Sequence, residues 1–213
     1  MSEVLTMIVP VLGKQPFIMN NLTALFKEAI EIGIKDIVFV TDIEGIADTV
    51  LLNWVNHKQL NIHCIYDSSI KHIGETVLCC KDYIKDEAFA LILDNELQIK
   101  TLINQHLETG ASIIGVQSVH NAKSKEYGVI QPSSHFSSLY GIKEISNIGY
   151  VEKETTLIMT GQYILSPDIM RYIKKSLDRA SASELFYQAV RLLNDYQRVF
   201  AFEATVLQKE VLI

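Results

Sequence analysis

The stretch TMIVPVLGKQPFIMNNLTALFKEAIEIGIKDIVFVT, running from Thr6 to Thr41, decides the architecture. Its first six residues, Thr6–Val11, form a short apolar run, the signature of a parallel strand covered on both faces. Pro16 then opens a helical pattern, with Ile18, Leu22, Leu25, Phe26 and Ala29 at steps of three and four. Gly33 stands where a left-handed C-cap belongs, and Asp36–Thr41 (DIVFVT) is a second strand. Strand, helix and strand in that order predict a parallel pair joined by a crossover helix.

The rhythm continues downstream. A helix is predicted around Ile46–Val55, a strand at Ile62–Tyr66, and a helix starting near Gly74. Ala88–Leu93 (AFALIL) reads as another buried strand closed by Asp94-Asn95-Glu96, then Leu97–Leu107 as helix with Gly110 past its end, then Ala111–Val119 as strand. This βαβα order predicts an α/β fold of Rossmann-like, three-layer type: a mostly parallel sheet with helices on both faces. Ligands bind such sheets beyond the carboxyl ends of the strands, which places Gly13–Gln15, Thr41–Glu44 and Asp94–Glu96 on the functional rim. Between Tyr127 and Lys153 the strands shorten and are punctuated by Gly128, Gly141 and Gly149, and Ser133–Ser138 (SSHFSS) reads as an exposed loop. Thr156–Leu165 is a strand. Ser166-Pro167-Asp168 predicts a helix start with Ser166 as N-cap and Pro167 at the first helical position. Ser181-Ala182-Ser183-Glu184 fits a capping box ahead of a helix ending near Asp195, and Val199–Ala204 is a last strand. With no internal repeat and no dividing linker, residues 1–213 are expected to form a single domain.

Composition narrows the function. Apolar residues make up 48% of the 213, enough for a sizeable core. The net charge of −6, without a Lys/Arg block, argues against nucleic acid and anionic membrane as partners. No apolar run approaches the ~20 residues that cross a bilayer, and Met1-Ser2-Glu3 lacks the basic start of a signal peptide. Cys64, Cys79 and Cys80, an odd count with two adjacent, form no disulfide framework; they read as small buried hydrophobes in a reducing, cytoplasmic compartment.

Several segments then fall in a shared order. They are Met7–Val11 (MIVPV), Gly33–Thr41 (GIKDIVFVT), Gly74–Cys80 (GETVLCC), Leu91–Asp94 (LILD), Tyr127-Gly128-Val129, Val151-Glu152-Lys153, and Gly161–Ser166 (GQYILS). Together they resemble the bacterial UTP–glucose-1-phosphate uridylyltransferases, within the wider sugar-nucleotidyltransferase family. The resemblance implies the fold of nucleotide-diphospho-sugar transferases. It also implies a reaction in which a sugar 1-phosphate oxygen attacks the α-phosphorus of a nucleoside triphosphate, with Mg2+ held by carboxylates. It assigns Gly74 to the segment that reads uracil, Asp94 to a metal, and Gly128, Glu152, Lys153 and Glu184 to the sugar side. Each has a plainer reading: Gly74 as a helix-start glycine, Asp94 as a helix cap, Glu152-Lys153 as an exposed pair at a strand end, and Glu184 as part of the capping box. The implied partners are a nucleotide sugar or sugar 1-phosphate, and a second copy of the chain or a catalytic paralogue.

Two departures from the pattern stand out. The family follows its first strand with a glycine-rich, arginine-bearing loop that cradles the triphosphate. Here Val11-Leu12-Gly13-Lys14-Gln15-Pro16 offers one glycine, one lysine and no arginine. Gly13 and Lys14 are the remaining phosphate-binding candidates, and a solvated loop lysine is the preferred reading of Lys14, since a point charge alone makes no cradle. The family's late metal-binding aspartate has no counterpart in Phe202–Ile213, where only Glu203 or Glu210 could stand in. The expectation is a uridylyltransferase relative with little or no activity and a binding or regulatory role. The alternatives are an active enzyme with a reduced site built from Lys14, Asp94 and Lys153, or a metal-dependent glycosyltransferase using Asp94-Asn95-Glu96 as a D-x-[DE] triplet.

Overall fold

The computed structural model describes residues 4–13, 22–46, 48–50, 59–93, 99–119, 128–146, 156–181 and 184–203. In chain order the elements are β1 (Thr6–Val11), α1 (Leu22–Glu31), β2 (Asp36–Thr41), β3 (Asn61–Tyr66), α2 (Ile73–Cys79), α3 (Lys81–Ile84), β4 (Phe89–Ile92), α4 (Ile99–Thr109), β5 (Ser112–Val119), β6 (Val129–Phe136), β7 (Leu139–Ser146), β8 (Thr156–Leu165), α5 (Ile169–Ser176), α6 (Leu185–Tyr196) and β9 (Val199–Glu203).

The strands form one mixed sheet in the order β3-β2-β1-β4-β8-β5-β9-β7-β6, with a further pairing of β6 to β8. Strands β1 to β4 are mutually parallel, as the βαβ reading requires, and β9 lies parallel to β5. Strands β7 and β8 run against their neighbours. Pairings β8–β5–β9–β7–β6–β8 therefore close a ring, and the far half of the sheet curls on itself.

The pleat sorts the core into two layers. Ile8, Val38, Phe89 and Leu91 point to the face covered by α2, α5 and α6. Met7, Val9, Ile37, Phe39, Ala90 and Ile92 point to the face covered by α1 and α4. All six residues of β1 are buried, because a central strand of a three-layer fold is covered on both sides. Leu22, Leu25, Phe26 and Ala29 form the buried stripe of α1, and Gly33 follows at φ +86°. Val50 is buried, while the rest of the helix predicted around Ile46–Val55, from residue 51 on, lies outside the described residues.

Local departures have physical causes. Ser133–Ser138 is not a loop. Its first four residues continue β6, which pairs with β7 through two register shifts near Pro132 and turns at Ser137, where φ is +57°. A polar hairpin tip that faces water has the composition of a loop. The helix after β8 begins at Ile169, beyond the predicted start at Pro167; Ser166 still caps the turn, its hydroxyl accepting the Asp168 N–H at 3.3 Å. Cys80 is fully buried, but Cys64 and Cys79 are only half-buried: Cys64 lies on β3, an edge strand among the described residues, and Cys79 ends α2.

Candidate functional site

The rim gathers where β1, β2, β3 and β4 end. Because Val11 pairs with Thr41 in parallel register, the turn after β1 and the turn after β2 emerge side by side. Gly13 adopts φ +63°, a conformation open to glycine at no steric cost, and donates its N–H to Asp42 Oδ1 at 2.8 Å. The other oxygen of Asp42 lies 3.6 Å from Lys71 Nζ. Next to it, Asp67 donates its N–H to the Thr41 carbonyl and accepts from the Ser69 backbone at 2.8 Å and its hydroxyl at 2.6 Å. The Ser69 hydroxyl and amide, with Lys71 close by, hold the Asp67 carboxyl below its ordinary value. Glu75 Oε2 takes the N–H groups of Lys71 and His72 at 2.8 and 3.1 Å, closing the start of α2. The corner thus carries the carboxylates of Asp42, Asp67 and Glu75, and the Gly13 amide and the Lys71 ammonium are both engaged by Asp42.

A second corner sits at a fork in the sheet. Along one edge of β8, the Leu93 N–H bonds the Gly161 carbonyl at 2.8 Å, and the Met159 N–H bonds the Gly128 carbonyl at 2.8 Å. Those anchor points are two residues apart on β8, so the end of β4 and the start of β6 face each other across about 7 Å. The sequence-nominated Gly128 is therefore brought beside the strand that leads into Asp94. A Cβ at Gly128 would lie 2.3 Å from Met159 Sδ and 2.6 Å from Tyr187 Cε1. Burial pushes the Tyr187 phenol up from its ordinary value, and the Gly128 backbone pulls the other way. Gly74, the second residue of α2, is buried in the same manner, with Leu185 Cδ2 2.8 Å from the position of a Cβ.

Glu184 is exposed just ahead of α6. The predicted reciprocal capping box takes a different form: the Ser181 hydroxyl donates to Glu184 Oε2 at 3.2 Å, and the Glu184 N–H donates to the Ser181 carbonyl at 2.9 Å. Lys14, Asp94, Glu152, Lys153 and Glu210 lie outside the described residues.

Glu203 does reach the rim, at the end of β9, but both its oxygens are already hydrogen-bonded. Its Oε1 accepts the Ser118 N–H at 2.7 Å and its Oε2 accepts the Tyr140 hydroxyl at 2.7 Å. Burial works to raise this carboxyl, yet those hydrogen bonds and nearby His135 hold it below its ordinary value. Strand β9 is three positions from β4 in the sheet. Among the described residues no group of three or more His, Cys, Asp or Glu side chains can hold a metal ion. The described carboxylates therefore do not fit magnesium.

Sequence reasoning placed Asp42 on the rim without singling it out, and it missed Tyr187 and Leu185. A carboxylate directly after the second strand was the available signal for Asp42. Nothing in ELFYQAV distinguishes Tyr187 from a packing residue.

This three-layer sheet, with its rim at the ends of β1, β2 and β4, defines a nucleotide-binding α/β class. The nucleotidyl transferase family model matches residues 2–205, so the chain belongs to that family. It is similar to the UTP–glucose-1-phosphate uridylyltransferase of Bacillus subtilis (strain 168), at 28% identity over 212 residues covering 84% of this chain and 71% of that protein. It is also similar to UTP–glucose-1-phosphate uridylyltransferase 2 of Staphylococcus saprophyticus, at 29% identity over 84% of this chain and 72% of that protein. Its fold matches a UDP-glucose pyrophosphorylase solved with UDP-glucose, with a TM-score of 0.74 at 18% identity, over 94% of this chain and 90% of that one. The UTP-bound enzyme of Acinetobacter baumannii matches with a TM-score of 0.70 at 18% identity, over 95% and 86% of the two chains. No helix among the described residues is long and apolar enough to cross a membrane.

Proposed function

We propose that this protein recognises a nucleotide sugar or sugar 1-phosphate of the UDP-glucose class and performs little or no nucleotidyl transfer. One observation carries the reading: the Gly13 amide, the candidate phosphate donor after β1, is bonded to the carboxylate of Asp42, which also pairs with Lys71. A cradle for a triphosphate needs free N–H groups and unpaired cations. A triphosphate entering here meets a carboxylate first and must break two existing contacts. Removing preorganised phosphate donors typically costs several kcal/mol of barrier, so transfer from UTP is the step that suffers most. The relatives named for UDP-glucose chemistry supply the ligand class. On the sugar side, Gly128 at the fork would offer its amide to a hydroxyl, with Glu152, Lys153 and Glu184 as further contacts. In the alternative reading, an active enzyme with a reduced site, Asp94 would hold Mg2+. A binding role of this kind suits a modulator of a catalytic relative or a self-associating sensor.

The test combines two assays on the purified chain. Calorimetric titration with UDP-glucose, glucose 1-phosphate and UTP, with and without Mg2+, is expected to show UDP-glucose binding tighter than UTP binding. Pyrophosphate release from UTP and glucose 1-phosphate at ordinary enzyme rates would refute the reading.

A further inference from the structure

Both glycines that the sequence nominates for close ligand approach are already approached by the protein itself, and by the same element. The space above Gly74 is filled by Leu185, and the space above Gly128 by Tyr187, both from the first turn of α6. Leu185 is 3% exposed and belongs to the core, so its position follows from packing. Tyr187 differs: it is half-buried, sits at the edge of that core, and packs edge-on against Phe186, with ring centroids 6.1 Å apart. Its ring lies against a backbone amide at the fork between β4 and β6, where a Cβ would overlap both it and Met159.

We infer that Tyr187 is the residue that sets sugar affinity at this site, its ring occupying the place beside Gly128 that a bound pyranose would take. The inference rests on the proposed nucleotide-sugar reading and deepens it. A sugar hydroxyl at Gly128 must find room where the ring stands, so the ring sets the cost. Side-chain rotation about χ1 moves the ring away without disturbing Leu185, because the two residues project from different positions around the helix. The ligand class that gains from this displacement is a hexose bearing a hydroxyl next to the anomeric phosphate.

The experiment uses the full chain labelled with 15N-glycine, as wild type, Tyr187→Phe and Tyr187→Ala, titrated with UDP-glucose and followed at the glycine amides. Tyr187→Phe keeps the ring and removes the oxygen. It is expected to leave UDP-glucose affinity within about threefold of wild type, because the ring still stands beside Gly128. Tyr187→Ala removes the ring and is expected to tighten UDP-glucose about three- to tenfold, with the Gly128 amide moving on titration. Equal or weaker binding by Tyr187→Ala, when wild type binds and its Gly128 amide responds, overturns the inference and leaves the nucleotide-sugar reading intact. A Gly128 amide that answers Tyr187→Ala while no glycine in either protein answers UDP-glucose overturns both. Tyr187→Phe, which keeps the packing, guards against a variant that fails to fold: UDP-glucose bound as tightly by Tyr187→Phe as by Tyr187→Ala overturns the inference by itself.

Discussion

Replacing Asp42 separates the two things its carboxylate does. It accepts the Gly13 N–H at 2.8 Å, and it faces Lys71 at 3.6 Å. A hydrogen bond to a charged acceptor contributes about 1–2 kcal/mol at a partly exposed position, while a pair with an exposed lysine adds roughly 0.5 kcal/mol or less. Asp42→Ala should therefore destabilise the protein by about 1–2 kcal/mol. For a chain of this length that lowers Tm by roughly 2–8 °C. Asp42→Asn keeps an acceptor for Gly13 and removes the charge, so it should lose well under half of that. The binding readout moves the other way. A carboxylate a few ångströms from an incoming phosphate repels it by about 1–2 kcal/mol after screening, so Asp42→Asn should bind UTP about five- to thirtyfold tighter than wild type. The gain should shrink as ionic strength rises. Thermal melts and UTP titrations at two salt concentrations read both effects. If Asp42→Asn binds UTP no better than wild type, the carboxylate is not what keeps the triphosphate out.

Four further outcomes follow from the geometry. Gly74→Ala sets a methyl 2.8 Å from buried Leu185, and the overlap outweighs alanine's better helix propensity, so denaturant titration should show a loss of about 1–2 kcal/mol. Gly115→Ala should cost more, since its Cβ meets Thr160 Oγ1 at 2.6 Å and the Gln162 carbonyl at 3.1 Å across paired strands, and backbone cannot rotate aside. Glu203 gives a pH signature: its folded carboxyl lies below the unfolded value, so its contribution is complete above about pH 5 and fades as pH falls through the folded value. The stability gap between wild type and Glu203→Gln should accordingly close on acidification from about pH 6 to pH 3, and a gap that widens would contradict the assignment. Its partner Tyr140, pushed up to about 12 by burial and by the bond to Glu203, should ionise there in an ultraviolet titration and at lower pH in Glu203→Gln, where burial alone still holds it above the ordinary value.

Much of the fold is legible in the chain because its information is local. Strands β1, β2 and β4 read as continuous apolar runs for the same reason that they are buried on both faces. Helix α1 reads from the spacing of Leu22, Leu25, Phe26 and Ala29, which is its buried stripe. The β6–β7 hairpin does not read, because SSHFSS faces water and its register shifts break alternation. The place of β9 between β5 and β7 does not read either, since pairing the last strand with the fifth is a property of the whole sheet. That placement ties Glu203 to Ser118 and Tyr140 and removes it from the end of β4. The motif order nominated Gly74 and Gly128. Which groups cover them could not be read, because Leu185 and Tyr187 look like any apolar helix turn until α6 is laid on the sheet. Asp42 was visible only as a residue after a strand, and its significance lies in the amide it holds.

The most direct measurement is pyrophosphate release from UTP and glucose 1-phosphate in magnesium, run beside UDP-glucose calorimetry on one preparation. Saturable UDP-glucose binding with turnover well below about 1 per second is the predicted result. Release in the ordinary enzymatic range, about 1 to 10³ per second, would contradict it and require a phosphate cradle other than the Asp42-bound turn.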